Sequence, residues 1–421
     1  MIDIKFVRQN PSKVKQSQIF RGQNVDIIDE LLQADDNRRV VIAEYENLKA
    51  EQNQLGKTIP KTSNANKPQL LAKLKNLSLQ IQQTKTRVDE NQNAYLKLAR
   101  SIDNIIEGAP RGDETNFIVL EEIGQIPNFT ALGINIKDHL DIGQKLNILD
   151  TQRGTKVSGT RFYFLKGLGA QLELALQRLA IDTAINAGLI PIITPTLVLP
   201  DIMESTGFLG EHSAEVYKLS EPDKAYLTGT SEVAIAGYHK DEVLDLKSQT
   251  ISYAGISTCY RREAGSYGKD TRGIIRVHQF NKVEMFTYCR PDIAEKEHLK
   301  ILDIEKSILN KMEIPYRVID IAAGDLGSSA ARKFDCEAYL PSQKRYLELT
   351  STSNCTTYQA RRLNIKYINN NGKNQFAATL NGTLATTRWI VAILENHQQA
   401  DGSVKIPTAL QPYMNDLKFI K

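Results

Sequence analysis

Arg261 and Glu263 stand two residues apart at the end of one long apolar run, and His278, Phe280 and Glu284 stand at even spacings in another. Side chains two apart share a face of a strand. If Ile251 to Glu263 and Ile274 to Cys289 are strands, and the second is unbroken, one sheet face carries an arginine, two carboxylates and an aromatic ring. A solvated face accounts for a single such charge pair, but poorly for charges set within apolar strands. An arginine fork suits a phosphate or a carboxylate. A phenylalanine ring suits stacking on a base, and glutamates suit an ammonium or an adenine amino group. Between the runs lies Ala264-Gly265-Ser266-Tyr267-Gly268-Lys269-Asp270-Thr271-Arg272-Gly273. It is longer than a plain hairpin needs, and Lys269 and Arg272 equip it to reach a nucleic-acid end.

Three further stretches carry polar groups in apolar surroundings. Thr230-Ser231-Glu232 precedes Val233-Ala234-Ile235, which reads as a helix cap, as a ligand loop, or as both. Glu284 lies between Val283 and Met285. A buried carboxylate is costly without a partner, so it needs either a structural ion pair or a ligand ammonium. Glu348 and Ser351 have opposite parity, so both can face one site only if a bulge or strand end intervenes. His212, His239, His278 and His298 show no metal spacing, and Trp389, the only tryptophan, reads as core.

These residues need a scaffold. Two long strands joined by a short turn pair antiparallel, which argues against a doubly wound parallel sheet. No Walker loop and no GxGxxG after a strand is present, so a nucleotide must be held in another way. Arg161 to Leu165 reads as a strand. Gly169 to Ala187, ended by Gly188, reads as a helix, as do Ile293 to Met312 and Leu384 to His397. Residues 108–155 form a connection of glycine, proline and acidic residues.

The first hundred residues are different. Ile27, Leu31, Ala34, Val41, Tyr45, Leu48 and Leu55 alternate by fours and threes, with Arg38 and Gln52 as polar interruptions. Leu70, Leu74, Leu77, Ile81, Thr84, Val88, Asn91, Tyr95, Leu98, Ile102 and Ile105 do the same. That is the seam of a coiled coil. Gly56 to Pro68 separates the two seams with turn formers, so the helices fold back antiparallel and project on the order of 50 Å. From Lys49 to Arg87 the basic residues are Lys49, Lys57, Lys61, Lys67, Lys73, Lys75, Lys85 and Arg87, opposed only by Glu51. An exposed basic finger too thin to hold a core favours contact with a phosphate backbone.

Whole-chain properties set the bounds. The 421 residues carry 53 basic and 49 acidic side chains, a net +4, too weak to argue for nucleic acid by itself. Cys259, Cys289, Cys336 and Cys355 are far apart, which excludes a zinc spacing and a disulfide framework and indicates a reducing cytoplasm. The start at Met1 lacks a signal-peptide pattern, and no run of about 18 apolar residues is present to span a membrane.

Cys259-Tyr260-Arg261-Arg262-Glu263-Ala264-Gly265-Ser266 with Arg276-Val277-His278-Gln279-Phe280 resembles motif 2 of class II aminoacyl-tRNA synthetases, and specifically of the seryl-tRNA synthetase family. Thr228 to Glu232 is similar to that family's serine loop, and Leu347 to Ser351 to its metal and ATP segment. Thr379-Leu380-Asn381-Gly382-Thr383 with Arg388 is similar to motif 3, and Gly188 to Val198 with Pro195 to the dimer-forming motif 1. The N-terminal hairpin resembles the family's tRNA-binding arm, so the likeness spans the chain in order.

The resemblance implies an α+β fold: an N-terminal antiparallel coiled-coil arm, residues 1–110, and a class II catalytic body, residues 111–421, with a mixed, mainly antiparallel sheet flanked by helices. It implies ATP-dependent activation of L-serine and its transfer to tRNA(Ser), and to tRNA(Sec) where the host has it. ATP would be held by Arg261, Arg262, Glu263, Val277, Phe280, Glu348, Leu349, Thr350, Ser351 and Arg388, with Arg261, Glu348 and Arg388 serving the chemistry. Magnesium would sit on Glu348 and Ser351. Serine would lie among Thr230, Ser231, Glu232, Arg261, Glu284, Asn381 and Thr383, the last standing where the family often has serine. The arm and the motif 2 loop would contact tRNA in a cytoplasmic homodimer. A threonyl enzyme of this class would resemble a zinc site of cysteine and histidines, and no such set is apparent. A ligase that loads a carrier protein would lack the arm. A catalytically dead scaffold would lack Arg261, Glu284 or Arg388.

Overall fold

The computed structural model describes residues 1–209, 211–264 and 272–421. Gly265 to Thr271, with Lys269 among them, and the His212 side chain lie outside the described residues. The chain divides into compact units Met1–Ile105 and Ile106–Lys421.

In the first unit, short helices α1 (Ile4–Gln9) and α2 (Pro11–Phe20) precede two long ones, α3 (Asp26–Thr58) and α4 (Lys67–Ser101). The long pair is antiparallel, because the partner numbers fall as those along α3 rise. Arg38 donates to Gln92 at 3.2 Å, Arg87 donates to both oxygens of Glu44 at 3.0 Å, and Gln52 donates to Ser78 at 3.0 Å. Leu31, Val41, Leu77, Thr84, Tyr95 and Ile102 are buried along the predicted seam. Both polar interruptions find partners. Arg38 pairs with the fully buried Asp35 at 2.7 Å and lies 4.1 Å over the Tyr95 ring, while Gln52 meets Ser78. Asp35 also accepts from Arg8 of α1 at 2.6 Å, so a carboxylate that would be costly alone is satisfied twice.

The turn is shorter than the run Gly56 to Pro68. α3 continues through Gly56 to Thr58, and Pro68 lies in the first turn of α4, where its missing N–H is no loss. Lys73 pairs with Glu51 at 2.9 Å and Lys85 with Asp89 at 2.6 Å. Lys57, Lys61 and Lys75 are exposed and make no ion pair among the described residues.

The second unit is built on eight strands: β1 (Ile118–Ile123), β2 (Ile190–Ile193), β3 (Ile251–Tyr260), β4 (Gln279–Cys289), β5 (Tyr316–Asp320), β6 (Arg332–Leu340), β7 (Arg345–Asn354) and β8 (Ala378–Thr386). Their order is β1-β5-β6-β7-β8-β4-β3-β2. All neighbours are antiparallel except β2, which runs parallel to β3 at the edge. Helices α5 (His139–Lys145), α6 (Leu168–Asn186), α7 (Glu232–Tyr238), α8 (Ala294–Lys311) and α9 (Arg388–Asn396) join it.

Alternation along β4 separates core from site. Val283, Met285 and Cys289 enter the main core with Leu172 and Leu176 of α6, Ile301 and Ile308 of α8, and Trp389 and Ile390 of α9. The opposite face presents Phe280, Lys282 and Glu284, then Phe286 and Tyr288, which close a smaller apolar cluster with Ile235 and Leu363. Several local readings of the sequence change, and the two long strands are shorter than expected, β3 ending at Tyr260 and β4 starting at Gln279. Leu384 to Thr386 belongs to β8, so the helix begins at Arg388. Of Arg161 to Leu165 only Phe164–Leu165 is strand, because Arg161 has φ 64°, outside the β region.

Candidate active site

β3 and β4 pair from Ile251 opposite Tyr288 to Tyr260 opposite Gln279. One step beyond, the Arg261 N–H still donates to the His278 carbonyl at 3.0 Å. This fixes the Arg261 side chain in the cleft, its guanidinium 5.2 Å from the Phe280 ring and its Nε 3.4 Å from the Gly229 carbonyl. Glu263, at φ 51°, turns the chain out of the strand and faces Arg276 at 3.4 Å. Val277 is buried and lines the cleft beside Phe280.

Arg262 does not join them. It is exposed, its N–H donates to the Glu215 carbonyl at 2.8 Å, and it lines no part of the cleft. His278 also departs from expectation. β4 begins at Gln279, and the His278 ring instead stands 5.3 Å from that of Phe162 and 6.2 Å from that of Tyr217. Arg272 is engaged by Asp138 and, at 2.6 Å, by Asp141 at the start of α5.

At the other end of a cleft of about 550 Å³, Thr230, Glu232, Glu284, Asn381 and Thr383 converge. The Thr230 hydroxyl accepts the Glu232 N–H at 3.1 Å and the residue lines the cleft, whereas Ser231, the N-cap of α7, makes no side-chain capping bond and does not line the cleft. It is fully buried, its hydroxyl 3.5 Å from the Gly255 carbonyl. Glu232 accepts from Gln359 at 2.7 Å, and Gln359 is held by the Thr379 hydroxyl at 2.8 Å. Burial, reinforced by the charge of Glu284, pushes the Glu232 carboxyl up to about 7.

Glu284 is 2% exposed. A register shift in the β4–β8 ladder sets Thr383 directly across from it, and the Thr383 hydroxyl donates to Glu284 at 3.0 Å. Lys282 Nζ lies 2.6 Å from the same oxygen. Glu284 therefore has a structural ion pair with Lys282 and also lines the cleft.

The bulge that Glu348 and Ser351 require is present. Cys336 faces Thr350 while Glu337 faces Glu348, leaving Leu349 as the extra residue in β7. Glu348 and Ser351 both line the cleft as a result. Burial opposes ionisation of Glu348, but Lys333, Arg388 and Arg261 outweigh it and hold the carboxyl below its ordinary range. Arg388 crosses the strand end, donating to the Glu348 carbonyl at 2.9 Å and approaching its carboxylate at 3.4 Å. Leu349 lines the cleft wall. Thr350 is buried on the opposite side and donates to Glu305 of α8 at 2.8 Å. Gly382 faces the same way, where any Cβ would lie 2.3 Å from Ile301.

The sequence reading missed Lys282, which lines the cleft, and Gln359, which is buried behind it. Lys282 lies midway between Phe280 and Glu284 at the same parity, so its signal was there. Gln359 reaches Glu232 from 127 positions away, and nothing local announces it.

The cleft is thus cationic around Arg261 and Arg388, and narrow and acidic around Glu232 and Glu284. Residues 1–106 match the seryl-tRNA synthetase N-terminal domain family, and residues 217–397 match the tRNA synthetase class II core domain (G, H, P, S and T). The chain is 55% identical over 415 residues to the serine-tRNA ligase of Rhodococcus opacus (strain B4), covering 98% of each. It superposes on the seryl-tRNA synthetase from Pyrococcus horikoshii complexed with ATP with a TM-score of 0.91 at 37% identity, covering 100% of this chain and 99% of that one. On the cytoplasmic serine-tRNA ligase from Naegleria fowleri in complex with AMP, the values are 0.89 and 34% at the same coverage. With both domains matched and near-complete coverage at this identity, the chain belongs to the seryl-tRNA synthetase family.

Proposed function

We propose that the chain is a serine-tRNA ligase: it activates L-serine with ATP to seryl-adenylate, releasing diphosphate, and transfers the seryl group to tRNA(Ser), releasing AMP. Where the host makes tRNA(Sec), that RNA is charged too. The observation that carries this is the polarity of the cleft, which sets Arg261 and Arg388 against Glu232, Glu284 and Thr383.

The serine ammonium fits between the carboxylates of Glu232 and Glu284, and its hydroxyl fits beside Thr383 and Glu284. Arg261 then reaches both the serine carboxylate and the α-phosphate. Phe280 stacks on adenine, Glu263 accepts from its amino group, and Arg388 takes the far phosphates. The carboxylate oxygen attacks the α-phosphorus as the bond to diphosphate breaks. The nucleophile is already ionised, so no general base is needed, and catalysis rests on placement and charge.

Glu348 and Ser351 offer hard oxygen donors on one face of the cleft, with the Lys333–Asp335 pair, 3.0 Å apart, beside Ser351. Among the described residues no cluster of three or more histidine, cysteine or acidic side chains could cage a metal. That fits magnesium, which binds through one or two protein oxygens and completes its shell with phosphates and water. When bound, it would neutralise phosphate charge; Arg261 and Arg388 do so from the protein.

Exchange of labelled pyrophosphate into ATP, run across the twenty amino acids, tests the reading. Exchange with serine alone is expected. Exchange with none would favour a scaffold, and exchange with another amino acid would overturn the pocket assignment. The pH dependence is a separate check. Glu232 must be ionised to hold an ammonium, so the KM for serine should rise as pH falls below about 7, approaching tenfold per pH unit. Glu232→Gln should bind serine weakly at every pH and lose that limb; an unchanged limb in the variant would assign it to another group.

The open edge supports a homodimer. Ile190 and Ile193 of β2 are 56% and 83% exposed, with Leu197 and Leu199 exposed beside them. An uncovered apolar edge strand is a liability unless paired. Sedimentation at the mass of two chains is expected, and a monomer would refute it. Four buried free cysteines suit a reducing cytoplasm. Among the described residues no helix is long and apolar enough to cross a membrane.

A further inference from the structure

Glu173 is a buried carboxylate that the activation step does not use. It stands on α6 beside the core residues Leu172 and Leu176, is 8% exposed, and lines a cavity with Gln177, Tyr163 and Asn281. A carboxylate there is costly unless its hydrogen bonds offset the cost, so its partners indicate what it is for. One oxygen, Oε1, accepts from Asn281 Nδ2 at 2.9 Å, from the Thr387 hydroxyl at 2.9 Å and from Gln177 at 3.4 Å.

Asn281 directly follows Phe280, and Thr387 directly precedes Arg388. The β4–β8 ladder ends at Lys282 opposite Thr386, so Asn281 and Thr387 are the first residues beyond it. Their own link is a pair of long bonds: Asn281 N–H to the Thr387 hydroxyl and Thr387 N–H to the Asn281 carbonyl, both at 3.3 Å. Thr258 of β3 fixes the Asn281 amide from the other side at 2.9 Å, and the Tyr163 hydroxyl approaches Thr387 at 3.3 Å.

We infer that Glu173 is a positioning residue for ATP: by tying Asn281 to Thr387 where the sheet ladder ends, it holds Phe280 and Arg388 at a fixed separation. The inference rests on the proposal that these two residues grip opposite ends of the nucleotide. The residues that meet the serine ammonium and hydroxyl, Glu232, Glu284 and Thr383, lie on the other side of Lys282, and the Arg261 main chain is fixed by His278, so serine binding should be largely spared. Burial raises the Glu173 carboxyl toward its neutral form against the pull of its donors, which makes glutamine, with one carbonyl oxygen and the same shape, the natural replacement.

The test is pyrophosphate exchange with Glu173→Ala, Glu173→Gln and Thr387→Val, with KM measured separately for ATP and serine. Exchange by the unaltered protein with serine establishes the underlying reading independently, so failure of that reading and failure of this one are distinct. Glu173→Ala is expected to raise the KM for ATP about tenfold, the upper range for the loss of one ordinary intramolecular hydrogen bond, and to leave that for serine within about twofold. Glu173→Gln should stay close to the unaltered protein. Thr387→Val, which keeps its shape and carries the test if the alanine variant does not fold, should reproduce the ATP-specific rise. Combining it with Glu173→Ala should add little, as for two members of one link. An unchanged KM for ATP, an equal rise for both substrates, a glutamine variant as damaged as alanine, or fully additive effects would each overturn the inference.

Discussion

Arg261→Ala is expected to lower kcat for serine-dependent pyrophosphate exchange by about 10²–10³-fold, the loss found when one fixed donor is withdrawn from developing charge. The structure explains why the loss should fall on the reaction and not on the fold. The Arg261 side chain rests on the Phe280 ring and makes one long bond to the Gly229 carbonyl. Its strand position is set by the main-chain bond to His278, which alanine retains, so thermal melting should change little. Lysine should not restore the rate, because a point charge lacks the fork that meets two oxygens in one plane. Glu232, Glu284 and Thr383, which meet the serine ammonium and hydroxyl, are untouched, so the preference for serine should survive in the residual activity while its KM rises with the lost carboxylate contact. A loss smaller than about tenfold would remove Arg261 from the centre of the mechanism.

Deleting residues 30–100 is expected to leave adenylate formation near its normal rate and to abolish charging of tRNA. Every group proposed to touch serine or ATP lies beyond residue 229, while the basic finger is lost entirely. The cut suits the hairpin. Arg38 with Gln92 and Gln52 with Ser78 show that opposed positions sum to 130, so residues 30 and 100 face each other across the pair. At about 8–10 Å between packed helix axes, a few glycines close the gap. Exchange and charging assayed on the same preparation check this, and equal loss of both would sink the division of labour. Phosphate contacts also predict that charging by the full chain weakens steeply with salt while exchange responds less.

The arm was the most legible part of the sequence, because a heptad pattern over two long segments has few other solutions. The reading departs from the structure at the tip and at the base, where α4 ends at Ser101 and Ile102 and Ile105 lie beyond it, and it is silent on α1 and α2. Gly56 suggested a break, but a glycine in an exposed helix end costs only about 1 kcal/mol, and α3 continues through it. α2 left no periodic signal because it buries Ser17 and Gln18 along with Val14. In the body, the antiparallel pairing of β3 and β4 followed from two apolar runs and a turn. Leu384 to Thr386 was misread as helix because a short apolar run does not distinguish strand from helix.

The motifs brought the right neighbourhoods together, but neighbourhood is not orientation. Ser231, Thr350 and Arg262 each sit beside a cleft residue, yet face the core or solvent, since successive side chains alternate. Glu348 and Ser351 broke that alternation, and the conflict itself foretold the bulge at Leu349. Gln359 lay beyond sequence reasoning because its partner Glu232 is reached only through the folded sheet.

The two polar locks in the hairpin seam make the arm a measuring rod. Apolar seams tolerate slippage, since one leucine packs much like the next, whereas a polar residue in a seam favours a single register. Arg38, clamped between Asp35, Gln92 and Tyr95, and Gln52, bonded to Ser78, pin the pair at two heights. A slip of one turn would take Gln92 and Tyr95 away from Arg38 and Ser78 away from Gln52, and move the tip by about 5 Å. The hairpin therefore sets a calibrated reach from its base to its basic tip, and the inserted length that this reach tolerates is quantised in whole heptads added to both helices.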